Sequence, residues 1–296
     1  MIPAGRTTSS ELVRRTDPTG RAGTDSIRAP VTKPSLPYGH FVADVPTPAQ
    51  LFDLTGKVAL ITGGSRGLGR EMALGFAAAG ADIVIASRKL DNCQRVAAEV
   101  EALGRRALAY GVHIGRWDEV PGLVDATYEH FGKLDILVNN AGMSPLFGDL
   151  SDLSEQLFDS VINLNMKGPF RLASLAAPRM IADGGGAIIN VSTSGSLRPQ
   201  PHFLPYASAK AGLNVITEAL AKAYGPTVRV NTLMPGQFAT DVSASWDMDA
   251  VAVGLKSHAI PRVADPKEIV GAALYLASDS ATFTTGATLR VDGGIP

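Results

Sequence analysis

Val58-Ala59-Leu60-Ile61-Thr62-Gly63-Gly64-Ser65-Arg66-Gly67-Leu68-Gly69 is the stretch that decides how this chain folds. Four apolar residues read as a buried strand, and the amphipathic run at 72–79 reads as the helix that follows. Between them the glycines let the backbone turn tightly and come close to a pyrophosphate. The helix behind them offers its unpaired N–H groups and positive dipole end to the same anion. Strand, glycine turn and helix together predict a nucleotide cofactor.

Working outward, the same order repeats. Strands are predicted at 58–61, 82–86, 107–112, 136–138, 187–191, 228–233 and 288–291. Helices are predicted at 68–79, 90–103, 117–131, 155–181, 207–224 and 266–276. This alternation implies an α/β fold: a doubly wound, mostly parallel seven-stranded sheet with helices on both faces. One domain is expected over 52–296. Residues 1–50 hold seven of the 19 prolines, show no helix or strand period, and read as a disordered N-terminal extension. Arg6, Arg14, Arg15, Arg21 and Arg28 suggest a transit peptide, but Glu11, Asp17 and Asp25 interrupt them, so an inert leader is the expectation.

Composition narrows the function classes. A net charge of -1 gives no reason to expect a nucleic-acid partner. No apolar run reaches the length of a membrane span, and none is expected to meet a membrane. The lone Cys93 excludes an internal disulfide and fits a reducing, cytoplasmic location. It has no His or Cys at ligand spacing, so it reads as a small helical side chain, and no metal site is predicted.

Ligands of such a sheet bind beyond the carboxyl ends of the strands. Four turn-like segments fall there: the glycine loop, Asn139-Asn140-Ala141-Gly142, Ser192-Thr193-Ser194 and Met234-Pro235-Gly236. Each alone is an ordinary turn; four at one end outline a cleft. At the end of the second strand the chain reads Ser87-Arg88-Lys89, with no acid before Asp91. A carboxylate there would bind the ribose of NAD, whereas Arg88 and Ser87, with Arg66 opposite, suit the 2′-phosphate of NADP. NADP(H) is therefore expected, with NAD(H) as the lesser possibility. The competing reading makes Arg88 a solvated helix-entry residue.

Tyr206 and Lys210 lie four apart on a helix and share a face. An ammonium beneath a phenol lowers the phenol's pKa, and such a Tyr can exchange a proton with an alcohol oxygen while hydride moves at the adjacent carbon. The bland alternative is a helix with one exposed Lys.

With the glycine loop, that pair makes the chain resemble the classical short-chain dehydrogenases/reductases, over roughly 52–296. Thr62-Gly-x3-Gly-x-Gly69, Asn139-Asn-Ala-Gly142, Tyr206-x3-Lys210, Pro235-Gly236 and the ending Thr285-Gly286 through Val291-Asp292-Gly293-Gly294 carry the resemblance. It is closest to 3-oxoacyl-carrier-protein reductases and gluconate 5-dehydrogenase-like members. The resemblance implies a single-domain Rossmann fold and an oxidoreductase that exchanges hydride between NADP(H) and a small carbonyl or secondary alcohol. It implies Tyr206 as general acid/base, Lys210 on the nicotinamide ribose, and Asn165 on a water linking Lys210 to solvent, or else capping or kinking its helix. Gly63, Ser65, Arg66, Gly67, Leu68, Gly69, Ser87, Arg88, His113, Ile114, Asn140, Ala141, Gly142, Tyr206, Lys210, Pro235, Gly236, Phe238 and Thr240 would hold the cofactor. The helices at 155–181 and 207–224 resemble those that pair family subunits, so a homotetramer or homodimer is implied.

Two departures stand out. The family's catalytic Ser position is Thr193 here, with Ser194 in reserve. The family's adenine-binding Asp is His113, which either accepts through one ring nitrogen or is a surface His. Residues 143–147, 197–204 and 237–259 are expected to surround the substrate. Phe238, Trp246, Met248 and Val253 would form an apolar lid, while Arg198, Gln200 and His202 would suit a polar substrate. A cofactor-binding sensor or scaffold without turnover is the alternative function, invited by Thr193 alone. A nucleotide-sugar epimerase or dehydratase is disfavoured by the glycine spacing and by the lack of a C-terminal substrate domain.

Overall fold

The computed structural model describes residues 45–145, 147–240 and 248–296. The N-terminal residues 1–44, Leu146 and Trp246 lie outside the described residues. A first short helix, α1 (Pro48–Leu51), occupies the end of the segment read as a tail. It forms because Thr47 and Gln50 make a capping box and Pro48 starts the first turn.

Seven strands follow: β1 (Val58–Thr62), β2 (Asp82–Ser87), β3 (Ala107–Gly111), β4 (Ile136–Asn139), β5 (Gly186–Val191), β6 (Val228–Pro235) and β7 (Thr288–Val291). They join in the order β3-β2-β1-β4-β5-β6-β7, and every ladder is parallel. The expected mostly parallel sheet is thus parallel throughout. Order reverses between β1 and β4, which is where such sheets open a ligand crevice.

The helices are α2 (Gly67–Ala78), α3 (Leu90–Ala102), α4 (Val120–Phe131), α5 (Glu155–Ile162), α6 (Gly168–Ala182), α7 (Leu204–Tyr224), α8 (Met248–Leu255) and α9 (Val270–Ala277). Alternate strand residues point to opposite faces. Ala59, Ile61, Ile83 and Ile85 pack with α2, α3 and α9. Val58, Leu60, Val84 and Leu137 pack with α4, α6 and α7. Burial on both faces explains why β1 and β2 read as nearly unbroken apolar runs rather than alternating ones. Among the described residues no helix is long and apolar enough to cross a membrane.

Two differences from expectation bear on the site. The predicted helix 155–181 is interrupted by a π-helical turn at Asn163–Lys167, where the Gly168 N–H reaches back to the Asn163 carbonyl. The helix predicted from Ala207 begins at Leu204, with Pro205 in its first turn. That brings Tyr206 into the first turn of α7, near the sheet's carboxyl edge.

Candidate active site

The glycine loop links β1 to α2. Gly63 and Gly67 have φ of 64° and 52°, which an L side chain rarely adopts. A Cβ on Gly69 would strike the Gly63 carbonyl, and one on Gly64 would lie 2.9 Å from the Ile61 carbonyl. Helix α2 starts without a side-chain cap, since Arg66 at its N-cap carries no acceptor. Backbone N–H groups at an uncapped N-terminus behind a loop with no room for side chains suit a pyrophosphate. The residues present therefore fit a dinucleotide.

The loop is tied to the next strand of the crevice. Thr62 Oγ1 accepts from the backbone N–H groups of Asn140 and Ala141, each at 3.0 Å. Asn140 Nδ2 donates back to the Thr62 carbonyl at 2.9 Å. Asn139, at the end of β4, donates to Asn190 Oδ1 at 2.9 Å, and Asn190 donates to Thr217 Oγ1 at 2.9 Å. This buried ladder fixes β4, β5 and α7 to one another beneath the cleft. Sequence reasoning missed Asn190 and Thr217; the signal was a polar residue inside an otherwise apolar strand.

Beyond Gly142 the cluster continues. A Cβ on Gly142 would lie 2.7 Å from Asn165 Oδ1 and 3.7 Å from Lys210 Nζ. Asn165 sits in the π turn, fully buried, and donates to the Met143 and Val161 carbonyls, both at 2.9 Å. Its side chain ties the β4 loop to the helix. The irregularity expected in this helix falls at Asn165.

Lys210 is buried, and its ammonium donates to the Val191 carbonyl at 2.7 Å. It also lies 5.9 Å from the centre of the Tyr206 ring. Burial pushes Lys210 down to about 7. Burial likewise pushes the Tyr206 phenol up to about 12, against a hydrogen bond with the Thr193 side chain that lowers it. The expectation that Lys210 depresses the phenol is therefore corrected: in the protein without cofactor, desolvation of the phenolate dominates. Tyr206 is held as a protonated donor.

Thr193 lies half-buried beside Tyr206, and its Oγ1 also accepts from the Gly195 N–H at 3.2 Å. Ser194 is buried in the short turn that follows. Ser192 donates toward the Lys210 carbonyl. Of the two hydroxyl candidates, Thr193 is the one against the phenol.

On the far side of the crevice, Ser87 ends β2 with its hydroxyl 3.1 Å from the buried Cys93 sulfur. Arg88 is exposed and makes no hydrogen bond or ion pair with another described residue. His113 Nδ1 accepts from the Gly115 N–H at 3.1 Å. The acceptor nitrogen expected to face a base is therefore occupied inside the turn, and a neutral ring presents Nε2–H, a donor, instead. Ile114 is buried, and its carbonyl packs on Gly168.

At the β6 end, the Gly236 N–H donates to the Val291 carbonyl at 2.9 Å, and a Cβ on Gly236 would lie 2.7 Å from Asp292 Cα. Thr240 lies against Gly67, whose Cβ would approach it to 3.4 Å. Phe238 is not a lid residue: it is buried in the core, and its backbone pairs with Ala264. Beside Tyr206 opens a hollow walled by Phe147, Leu153, Leu157, Val161 and Phe203. Among the described residues no cluster of metal-ligating side chains occurs.

A family model described as enoyl-(acyl carrier protein) reductase matches residues 63–296. The chain is 38% identical over 256 residues to the short chain dehydrogenase/reductase astE of Aspergillus oryzae, covering 83% of this chain and 97% of that protein. A gluconate 5-dehydrogenase from Burkholderia cenocepacia, solved with NADP and tartrate, superposes with a TM-score of 0.79 at 32% identity, covering 83% of this chain and 98% of that one. The L-sorbose reductase of Gluconobacter frateurii, solved with NADPH and L-sorbose, superposes with a TM-score of 0.77 at 31% identity over the same shares.

Proposed function

The chain belongs to the classical short-chain dehydrogenases/reductases, oxidoreductases acting on CH–OH groups, and from that premise we propose an NADP(H)-dependent ketone reductase or secondary-alcohol dehydrogenase with Tyr206 as its general acid/base. One observation carries the reading. The Tyr206–Thr193–Lys210 cluster and the glycine cradle meet at the same strand ends, joined through Asn140 and Gly142.

Residues Gly63, Ser65, Arg66, Gly67, Leu68 and Gly69 would hold the pyrophosphate, with Ser87 and Arg88 on the 2′-phosphate. Asn140, Ala141, Gly142, Pro235, Gly236 and Thr240 would flank the nicotinamide half. Exposed Arg88 and the missing carboxylate at the β2 end support NADP(H) over NAD(H). So do the NADP(H) complexes of the two solved relatives. When bound, the reduced nicotinamide supplies a hydride.

The rest belongs to the protein. Thr193 donates to the substrate carbonyl and orients it. As the carbonyl carbon gains hydride, the C=O electron pair moves to oxygen, which takes the Tyr206 proton. Lys210, buried and pushed down to about 7, would gain and lose a proton near neutral pH and so return one toward Tyr206, and Asn165 holds the backbone beside it. Oxidation of an alcohol runs the same steps backward.

The test is a panel of ketones and secondary alcohols with both cofactors, followed at the reduced-nicotinamide absorbance. Turnover with NADPH in preference to NADH supports the proposal. Tight NADPH binding without turnover on any carbonyl would favour the sensor alternative.

A further inference from the structure

The loops that meet at Tyr206 differ in charge from what a sugar-acid substrate needs. Residues 143–162, which form the β4–α5 wall, contain no Lys or Arg and four carboxylates: Asp149, Asp152, Glu155 and Asp159. Asp149, Asp152, Glu155 and Asp159 are all exposed. The inner side of the same wall is Leu153, Leu157 and Val161, with Phe147 and Phe203 completing it. The β5–α7 segment, residues 193–205, holds one cation, Arg198. Its guanidinium donates to the carbonyls of Pro296, at 2.9 Å, and Leu197, at 3.1 Å. His202 packs edge-on against Phe203, 4.8 Å between ring centres. Lys210 is the cation nearest the phenol, and it is committed to the Val191 carbonyl. The sequence of 237–259 holds one Lys or Arg, the exposed Lys256 just past α8.

A carboxylate entering this hollow would lose water without gaining a cation from its lining, and the four carboxylates of the β4–α5 segment would repel it at longer range. An apolar substituent would instead cover the half-buried Leu153 and Leu157 from water. We propose that the substrate is an uncharged ketone or secondary alcohol with an apolar group next to the reacting carbon, and that carboxylate-bearing ketones are rejected. The proposal rests on Tyr206 being the proton donor, since Tyr206 fixes which wall the substrate meets. It sets this chain apart from the gluconate 5-dehydrogenase it superposes on, which by its name acts on a sugar acid.

A matched pair tests it: methyl 4-acetylbenzoate and 4-acetylbenzoate present the same ketone with and without the negative charge. With the full chain and NADPH, kcat/KM for the ester should exceed that for the acid about 100-fold, chiefly through KM. Raising the ionic strength should narrow the gap, as repulsion from the β4–α5 carboxylates is screened. Leu157→Arg should narrow it at least tenfold by lowering KM for the acid. Equal or better kcat/KM for the acid in the wild-type protein would overturn the proposal. If neither ketone turns over, the reductase reading fails instead. Calorimetric binding of the two compounds to the NADP complex then still decides this one: ester over acid upholds the apolar site, and acid over ester overturns it.

Discussion

Lys210 donates its buried ammonium to the Val191 carbonyl, 2.7 Å away, at the last residue of β5. That bond clamps α7 onto the strand end from which Ser192, Thr193 and Ser194 emerge. It also keeps a cation desolvated, so Lys210 falls to about 7 from an ordinary 10.5.

The clamp has a pH signature. Between about 7 and 10.5 the unfolded chain binds more protons at this amine than the folded one, so stability should rise with pH across that window. Tyr206 has the opposite sign: its folded value of about 12 exceeds 10.0, so stability should fall as pH climbs from 10 to 12. Thermal melts from pH 7 to 10 should show a rise on the order of 5 °C that Lys210→Met abolishes. An unchanged profile in the variant would remove Lys210 as its source.

Thr193 rather than Ser194 should carry the hydroxyl, because Thr193 is the side chain that acts on the Tyr206 phenol. Thr193→Val should lower kcat about 10- to 100-fold, the range for losing one hydrogen bond to a reacting oxygen. Thr193→Ser should keep most activity, and Ser194→Ala should stay within about twofold. Steady-state kinetics on the three variants decides the assignment; a larger loss in Ser194→Ala than in Thr193→Val would reverse it.

Gly69→Ala forces a methyl into the Gly63 carbonyl and Asn140 Nδ2. Both neighbours are anchored, so the loop must move, at roughly 1–3 kcal/mol of stability. NADPH affinity by fluorescence titration should fall more than tenfold. Unaltered affinity would show that the loop does not cradle the cofactor.

Arg88→Asp should raise the Kd for NADPH about 100-fold and tighten NADH, since two charge-assisted bonds are replaced by repulsion. Titrations with both cofactors check it. No change in the ratio would place the 2′-phosphate elsewhere.

Much of this was legible in the sequence, for identifiable reasons. The inner strands are legible because both their faces are buried, leaving runs such as Val58–Thr62 with no exposed residue, whereas the edge strands β3 and β7 are partly exposed. The glycine loop appears because only glycine tolerates the Gly63–Gly69 approach. The π turn at Asn163–Lys167 was invisible: it depends on backbone bonds reaching back five positions instead of four, which apolar periodicity does not encode. The raised Tyr206 was misjudged because helical spacing reports neighbours and not desolvation. Arg198 looked available to a substrate because its partner, Pro296, is 98 residues away.

The central claim is proton transfer by Tyr206, and Tyr206→Phe tests it most directly. Removing only the hydroxyl leaves the ring packing and the Lys210–Val191 bond in place. NADPH should bind the variant within about twofold of the wild-type Kd, while kcat on the best ketone falls about 10²- to 10⁴-fold. Retained kcat with unchanged NADPH binding would contradict the account.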